Sequence, residues 1–212
     1  MVPIAEFMKL RYHKLTPDEL RSIADVIYRA TELEDMLNRL ALALTVGRDA
    51  TPREYETEYY RSYGSSDVIG RVRRALPPLT EQERRGLTLT LDHAADLLAY
   101  RHGLAHGLPR VSEAGERLMW RKRTPRPKQP RARHEEFEAV PIDPDSLGEV
   151  ARLLAVAHKA AFAAALHFQP SSLGEVPGKI VEIHTDEHTA RWALREGWET
   201  VMRTTAEQLS AG

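Results

Sequence analysis

A long amphipathic helix is the first element that the hydrophobic pattern predicts. It starts at Thr16-Pro17-Asp18-Glu19, where Thr16 and Glu19 have the spacing of a capping box and Pro17 suits the first helical position. Apolar residues then recur every three or four positions up to Gly47, which is the spacing of one helix face. These residues are Ile23, Ile27, Ala30, Leu33, Leu37, Leu40 and Leu44.

Two shorter helices are predicted next. Residues 51 to 63 carry four tyrosines, and residues 68 to 76 carry a short apolar face of their own. Pro77-Pro78 ends the second of these helices, because proline lacks a backbone N–H and disfavours helical backbone in the residue before it.

A further long helix opens with a second capping box at Thr80 and Glu83, and Gly107 with Pro109 ends it. Arg101 and His102 lie where its apolar face would continue, and Gly103 weakens the helix locally. The predicted apolar face consists of Leu87, Leu91, Ala94, Leu98 and Ala105.

Positive charge is concentrated in residues 117 to 133. This segment holds eight Lys and Arg residues and no acid, whereas the whole chain has 30 basic and 31 acidic residues and a net charge of -1. The remainder therefore carries -1 minus 8, or -9. Prolines within the segment disfavour a helix, and its flanks, residues 118 to 120 and 137 to 140, are predicted to pair as a β-hairpin with a long basic tip.

Two more helices are predicted in the C-terminal part. One starts at Asp143-Pro144 and ends at Pro170, and the other spans about residues 187 to 209, after a connector with a short strand at 179 to 183. The predicted fold class is all-α, an antiparallel helical bundle with a small β-hairpin insertion. We expect one helical domain over residues 17 to 168, with the basic hairpin (117 to 140) inside it. Residues 169 to 212 are expected to form a connector and helix packed on this domain.

Composition narrows the classes of function. The chain has no cysteine, which excludes disulfides, Cys-ligated metal sites and thiol nucleophiles. The longest apolar run falls far short of the roughly 20 residues that a membrane span needs, and the first residues lack the layout of a signal peptide. A soluble cytoplasmic protein with no membrane association is therefore expected.

The most informative segment is Tyr100-Arg101-His102-Gly103-Leu104-Ala105-His106-Gly107. It places a guanidinium and two imidazoles at the end of an apolar helix face, where burial without partners is costly. The segment resembles the signature of HEPN domains, in which an arginine is followed by a polar residue, three further residues and a histidine. Arg101, His102 and His106 match this signature in register, although asparagine is commonest where His102 stands. The helical layout of residues 17 to 168 resembles the family too.

The resemblance implies a homodimer whose two motifs face each other across a cleft, and a metal-independent endoribonuclease that needs no cofactor. His106 would act as general base or acid, which suits histidine because its unperturbed pKa is about 6.5. Arg101 would stabilise charge on the pentacoordinate phosphorus, and His102 would orient the other two residues or contact phosphate. Family members often serve as toxins or abortive-infection effectors, which implies a cognate antitoxin or a regulatory protein as a second partner.

A catalytic site built from this motif requires Arg101 and His106 to reach the same cleft. Residues five apart on an ideal helix point about 140° apart, so Arg101 and His106 do not share a face of a straight helix. Gly103 could permit a bend or an early helix end that brings both to one cleft. Otherwise, the partner chain must complete the site.

The basic segment is a candidate RNA contact, since each Lys or Arg can neutralise a backbone phosphate. A solvated loop is the alternative reading of such a charge run. Trp120 could stack on a base, but a tryptophan in the core of the hairpin fits its position better. The candidate RNA-binding residues are Arg121, Lys122, Arg123, Arg126, Lys128, Arg131 and Arg133.

Three alternatives to a nuclease remain open from the sequence. Arg101 and His106 could be structural, with Arg101 paired to an acid and His106 favoured by the helix dipole. The chain could be a non-catalytic helical module that binds RNA, a nucleotide or a protein. It could also be a His-ligated metal protein, since His102 and His106 share a helix face, but no third ligand is evident and no metal site is predicted. The similar spacing of His184 and His188 is predicted to mark a solvated helix start.

Overall fold

The computed structural model describes residues 10–62, 67–76, 79–122, 137–173, 181–185 and 190–196. Within these residues the chain is mostly helical, with a small antiparallel sheet and a separate two-stranded pair. The mostly helical prediction is thus confirmed, and two strands that were not predicted join the predicted hairpin.

The five helices of the described residues lie where the sequence predicts helices. A 3-10 turn, Ser171–Leu173, follows the last one. The helices are α1 (Pro17–Val46), α2 (Pro52–Ser62), α3 (Val68–Arg74), α4 (Glu81–His106) and α5 (Pro144–Phe168).

Capping boxes fix three of these helix starts. In each, the backbone N–H of the threonine donates to the glutamate carboxylate, and the glutamate N–H donates back to the threonine hydroxyl oxygen. Two of the pairs are those predicted from the sequence, and the one at α2 was not. The pairs are Thr16–Glu19 at α1, Thr51–Glu54 at α2 and Thr80–Glu83 at α4.

The main sheet has four antiparallel strands in the order β1 (Arg11–Tyr12), β2 (Leu108–Val111), β3 (Arg117–Lys122) and β4 (Phe137–Pro141). Pairing of β3 with β4 confirms the predicted hairpin. Neither β1 nor β2 was predicted. Two residues are too few to show the alternation of a strand, and the proline in β2 marks a helix end as readily as an edge strand.

The prediction of a final helix from 187 to 209 is wrong over its described part. Ala190–Leu194 is a strand, β6, which pairs antiparallel with β5 (Val181–Thr185). Trp192 is buried to 2% exposure opposite Ile183, so cross-strand packing decides the conformation here. His184 therefore lies on a strand, with its Nε2 2.8 Å from a carboxylate oxygen of Glu182, and does not mark a helix start. Residues 197 to 209 and His188 lie outside the described residues.

The buried faces of the helices follow the predicted periodicity with local shifts. On α1, Val26 is fully buried, while Ile27 is only half-buried. On α4, Leu97 and Leu104 occupy the buried positions that the sequence assigned to Leu98 and Ala105. Each shift is by one residue, which rotates the buried stripe by about 100° at that point.

The described residues form two compact units. The first comprises those within Met1–Ala30 and Asp96–Leu154, and the second those within Thr31–Ala95 and Ala155–Gly212. The four-stranded sheet and the Arg101–His106 segment belong to the first unit, and the β5–β6 pair belongs to the second.

By length and composition, α5 is apolar enough to cross a membrane, which was not predicted from the sequence. The core helix of a soluble protein can have the same length and composition, and 39% of the most apolar stretch of α5 is buried. Leu147, Leu154 and Ala161 lie on its buried face, so this face of α5 belongs to the protein core.

Two glycines let α4 and the segment after it approach the sheet closely. A Cβ at Gly103 would lie 3.0 Å from a methyl group of Val140 on β4. A Cβ at Gly107 would lie 2.6 Å from the carbonyl oxygen of Gly103 and 2.9 Å from the Cβ of Met119 on β3. Close packing against the sheet is therefore the reason for glycine at both positions.

We expect Gly107→Ala to lower the free energy of unfolding by about 1–3 kcal/mol, because the new methyl group has no room between Gly103 and Met119. Gly148→Ala is the matched control. Gly148 lies within α5 with nothing within 4 Å of its added Cβ, so the substitution should stabilise by about 0.5–1 kcal/mol. Urea unfolding followed by circular dichroism measures both. Equal effects of the two substitutions would contradict the proposed packing.

Candidate functional site

Arg101 lies on the buried stripe of α4, between Leu97 and Leu104, and its side chain is half-buried. The helix runs through Gly103 to His106, so the early helix end considered from the sequence does not occur. Arg101 and His106 therefore remain about 140° apart around one helix. Within a single chain, the side chains of Arg101 and His106 therefore do not face the same surface.

His102 is exposed, contrary to the expectation that it continues the apolar face. It pairs with His106, which is exposed as well, and their ring centroids are 4.5 Å apart at an interplanar angle of 62°. Their spacing of four residues places both imidazoles on the same helix face. The C-terminal end of α4 thus offers two adjacent, solvent-accessible imidazoles.

Tyr100 anchors this last turn to the sheet. Its hydroxyl donates a hydrogen bond to the carbonyl oxygen of Pro141, at the end of β4. Burial raises the pKa of Tyr100 to about 12, and the negative charge of Asp143 raises it as well. The hydroxyl therefore stays protonated at neutral pH, and its role is to hold the position of α4.

The predicted RNA-binding residues are only partly described. Arg121 forms an ion pair with Glu138, its cross-strand partner on β4, with Nε 2.8 Å from the carboxylate. Such a pair stabilises the hairpin and neutralises the charge of Arg121. The backbone of Lys122 belongs to β3, but its side chain lies outside the described residues. So do Arg123, Arg126, Lys128, Arg131 and Arg133.

Trp120 is buried, with an exposed fraction of 3%. It lies on β3 opposite Ala139 of β4 and Leu108 of β2. This confirms that Trp120 belongs to the core of the hairpin and does not present its ring for stacking.

Sequence reasoning missed a charged cluster at the start of α1. The carboxylate of Glu19, 3% exposed, accepts hydrogen bonds from the Thr16 N–H at 2.7 Å and from Arg117 at 2.9 Å, and lies 3.0 Å from Nε2 of His13. Burial raises the pKa of Glu19, but the hydrogen bonds from Thr16, His13 and Arg117 lower it more, to about 2. The capping-box spacing predicts the contact between Glu19 and Thr16. Nothing in the local sequence indicates the contact with Arg117, which is 98 residues away.

A second cluster that the sequence did not indicate joins Arg48, Glu83 and His167 in the second unit. Nε2 of His167 lies 2.9 Å from Glu83 Oε1 and 3.1 Å from a guanidinium nitrogen of Arg48. Burial and the charge of Arg48 lower the pKa of His167, while the hydrogen bond with Glu83 opposes this. The imidazole also packs against Trp192, with ring centroids 4.8 Å apart and ring planes tilted by 52°, so the cluster contacts the buried side of the β5–β6 pair.

Neither the cluster around Glu19 nor the cluster around His167 forms a metal site. Over the part of the chain that the structure describes, no three His, Asp or Glu side chains are arranged to hold a metal ion.

Comparison with known proteins identifies no relative of this chain. No protein-family model matches the sequence, and neither the curated proteins nor the solved structures compared with it give a match.

Proposed function

We propose that this protein is a metal-independent endoribonuclease of HEPN type, with its catalytic groups on the last turn of α4. The observation that carries the proposal is the exposed His102–His106 pair, which directly follows the half-buried Arg101 in α4. The mostly helical fold supports it, and we propose that the helices form the antiparallel bundle of that family.

The chemistry follows from what each group can do. One imidazole takes the proton of the RNA 2′-hydroxyl, whose oxygen attacks the adjacent phosphorus, and another gives a proton to the departing 5′-oxygen. The forked guanidinium of Arg101 stabilises the negative charge on the phosphorane, and His102 orients His106 or contacts phosphate. The products are a 2′,3′-cyclic phosphate and a 5′-hydroxyl.

A homodimer supplies what the geometry of one chain lacks. Because Arg101 and His106 point about 140° apart on an unbroken helix, we propose that the arginine of one protomer and the His102–His106 pair of its partner line one cleft.

The proposed cellular setting comes from the family resemblance. We propose a cytoplasmic protein that acts as a toxin or abortive-infection effector, with RNA as substrate and a cognate antitoxin or regulatory protein as partner. The absence of cysteine is compatible with reducing cytoplasm.

The deciding experiment is incubation of the purified protein with a single-stranded RNA in excess EDTA, and with the same oligonucleotide carrying 2′-deoxyribose. We expect cleavage of the RNA that EDTA does not inhibit, cyclic phosphate ends, and no cleavage of the deoxy analogue. RNA binding without cleavage would favour the non-catalytic module, and loss of activity or fold in EDTA would favour a metal protein. Either result would overturn the nuclease proposal.

A further inference from the structure

A basic ribbon lies next to the histidine pair. We define the β1–β2 ribbon as residues 10 to 15 together with residues 107 to 112. Its two strands pair Tyr12 with Arg110, and the N–H of His13 donates to the carbonyl oxygen of Pro109 at 3.2 Å. The ribbon contains no Asp or Glu, and it carries Arg11, Lys14 and Arg110 as its permanent charges.

The two faces of this ribbon differ. Met119 and Val140 belong to the sheet face that meets the α4 end, since they lie nearest to the positions of Gly107 and Gly103. Side chains alternate along a strand, and cross-strand partners share a face. The pairing therefore places Tyr12, Leu108 and Arg110 together on the opposite face, which we call the outer face.

Large apolar side chains on the outer face of the ribbon are open to solvent. Tyr12 is 68% exposed and Leu108 is 58% exposed, while Arg110, the cross-strand partner of Tyr12, is half-buried. Trp120 shares this face on β3 but is buried, so the exposed part is confined to β1 and β2. An exposed aromatic ring beside a guanidinium is the arrangement that stacks a base and contacts its phosphate.

The position of the ribbon connects it with the proposed site. Leu108, where β2 begins, is two residues after His106. The acids nearest to β2 in sequence, Glu113 and Glu116, lie in the turn at its far end, and the buried Glu19 lies 3.0 Å from His13 of the ribbon. The strand that follows the histidine pair, β2, therefore carries positive charge and no acid. Acidic residues follow it in the turn at its far end.

We propose that the outer face of the β1–β2 ribbon binds single-stranded RNA, with a base stacked on Tyr12 and phosphates held by Arg110 and the exposed Lys14. This inference rests on the proposed function, because it gives the substrate of that site a path from the histidine pair across the sheet. The charge of an acid-free ribbon complements a phosphate backbone, and the exposed tyrosine provides a stacking surface that accepts any base.

The test measures binding separately from cleavage. The probe is a fluorescein-labelled 12-nucleotide RNA with 2′-O-methyl riboses, which lacks the attacking hydroxyl, and the readout is fluorescence anisotropy with the full chain. We expect Tyr12→Ala to weaken binding about 5- to 150-fold, as for loss of one stacked base, and Tyr12→Phe to restore it to within about twofold. Arg110→Ala should reduce the slope of log K against log salt by about 0.7, as for one lost phosphate contact.

Tyr28→Ala is the matched control, since Tyr28 is 64% exposed on α1 in the same unit but is not part of the ribbon. It should leave binding unchanged. Equal binding by wild type and Tyr12→Ala, or equal losses in Tyr12→Ala and Tyr28→Ala, would overturn the ribbon as an RNA site. Absence of RNA binding by wild type would also overturn it and would favour a protein as the occupant.

The outcomes also separate the two proposals. Cleavage by wild type with unchanged binding in Tyr12→Ala would retain the nuclease and reject the ribbon. Binding that depends on Tyr12, without cleavage of unmodified RNA, would retain the ribbon and reject the nuclease.

Discussion

Replacing His106 by alanine is expected to lower the rate of RNA cleavage by about 10²- to 10⁴-fold, the usual contribution of a general acid or base. The folded state should be little affected, because the His106 side chain is exposed and contacts the ring of His102, which is exposed as well. Single-turnover cleavage of a labelled RNA gives the rate, and thermal unfolding gives the stability.

His93→Ala is the control for this substitution. His93 is also exposed on α4, but it lies more than two turns before Arg101 and His106. We expect cleavage by the control to match wild type. A His106→Ala protein that cleaves RNA as fast as the control would remove the physical basis of the proposed mechanism.

Mixing two inactive variants tests whether the site is shared between protomers. Arg101→Ala should also abolish cleavage, and Arg101→Lys should not restore it, because a lysine ammonium lacks the fork of donors. Heterodimers of Arg101→Ala and His106→Ala chains contain one cleft with both groups intact if each cleft takes Arg101 from one protomer and His106 from the other. Partial recovery of cleavage on mixing is therefore expected, whereas no recovery would place each complete set within one chain.

The fold was predictable where local chemistry determines it. The capping boxes at Thr16 and Thr80 located the starts of α1 and α4, because their partners lie three residues away. The strands were harder, since β1 exists only through its pairing with β2, almost a hundred residues later. The same reason explains the error at 190 to 194. The helical spacing of Leu194, Trp198 and Val201 in the sequence concealed a strand that Trp192 and its β5 partner stabilise.

The candidate site was predictable in its residue types but not in its geometry. The sequence singled out Arg101 and His106, and it could not show that Leu97 and Leu104 place Arg101 on the buried stripe while His102 faces solvent. The buried stripe is shifted by one residue from the predicted apolar face, and this shift determines which side chains are exposed to solvent. The exposure of Tyr12 was not visible either, because it depends on the register of β1 against β2.

The largest loss of stability is expected from Glu19→Gln, about 2–3 kcal/mol in the free energy of unfolding at pH 7. The substitution removes a buried negative charge and leaves the guanidinium of Arg117 and the N–H of Thr16 facing an uncharged amide. Urea unfolding at pH 7 measures the effect. The control is Glu54→Gln, which changes the exposed capping-box glutamate of α2. It should cost less, because among the described residues the hydrogen bonds of Glu54 lie within its own capping box.

The pH dependence of stability isolates the Glu19 carboxylate from other effects of the substitution. Its pKa is about 2 in the folded protein against an ordinary value of 4.5, so the unfolded chain binds more protons between these values. The stabilisation is therefore complete above about pH 5 and is lost as the pH falls toward 2. Other carboxyl groups with lowered pKa values, such as Glu83 and Asp143, contribute equally to both proteins. The difference between wild type and Glu19→Gln should thus shrink on acidification, and a difference that stays constant from pH 7 to pH 3 would show that Glu19 stabilises the fold by shape and not by charge.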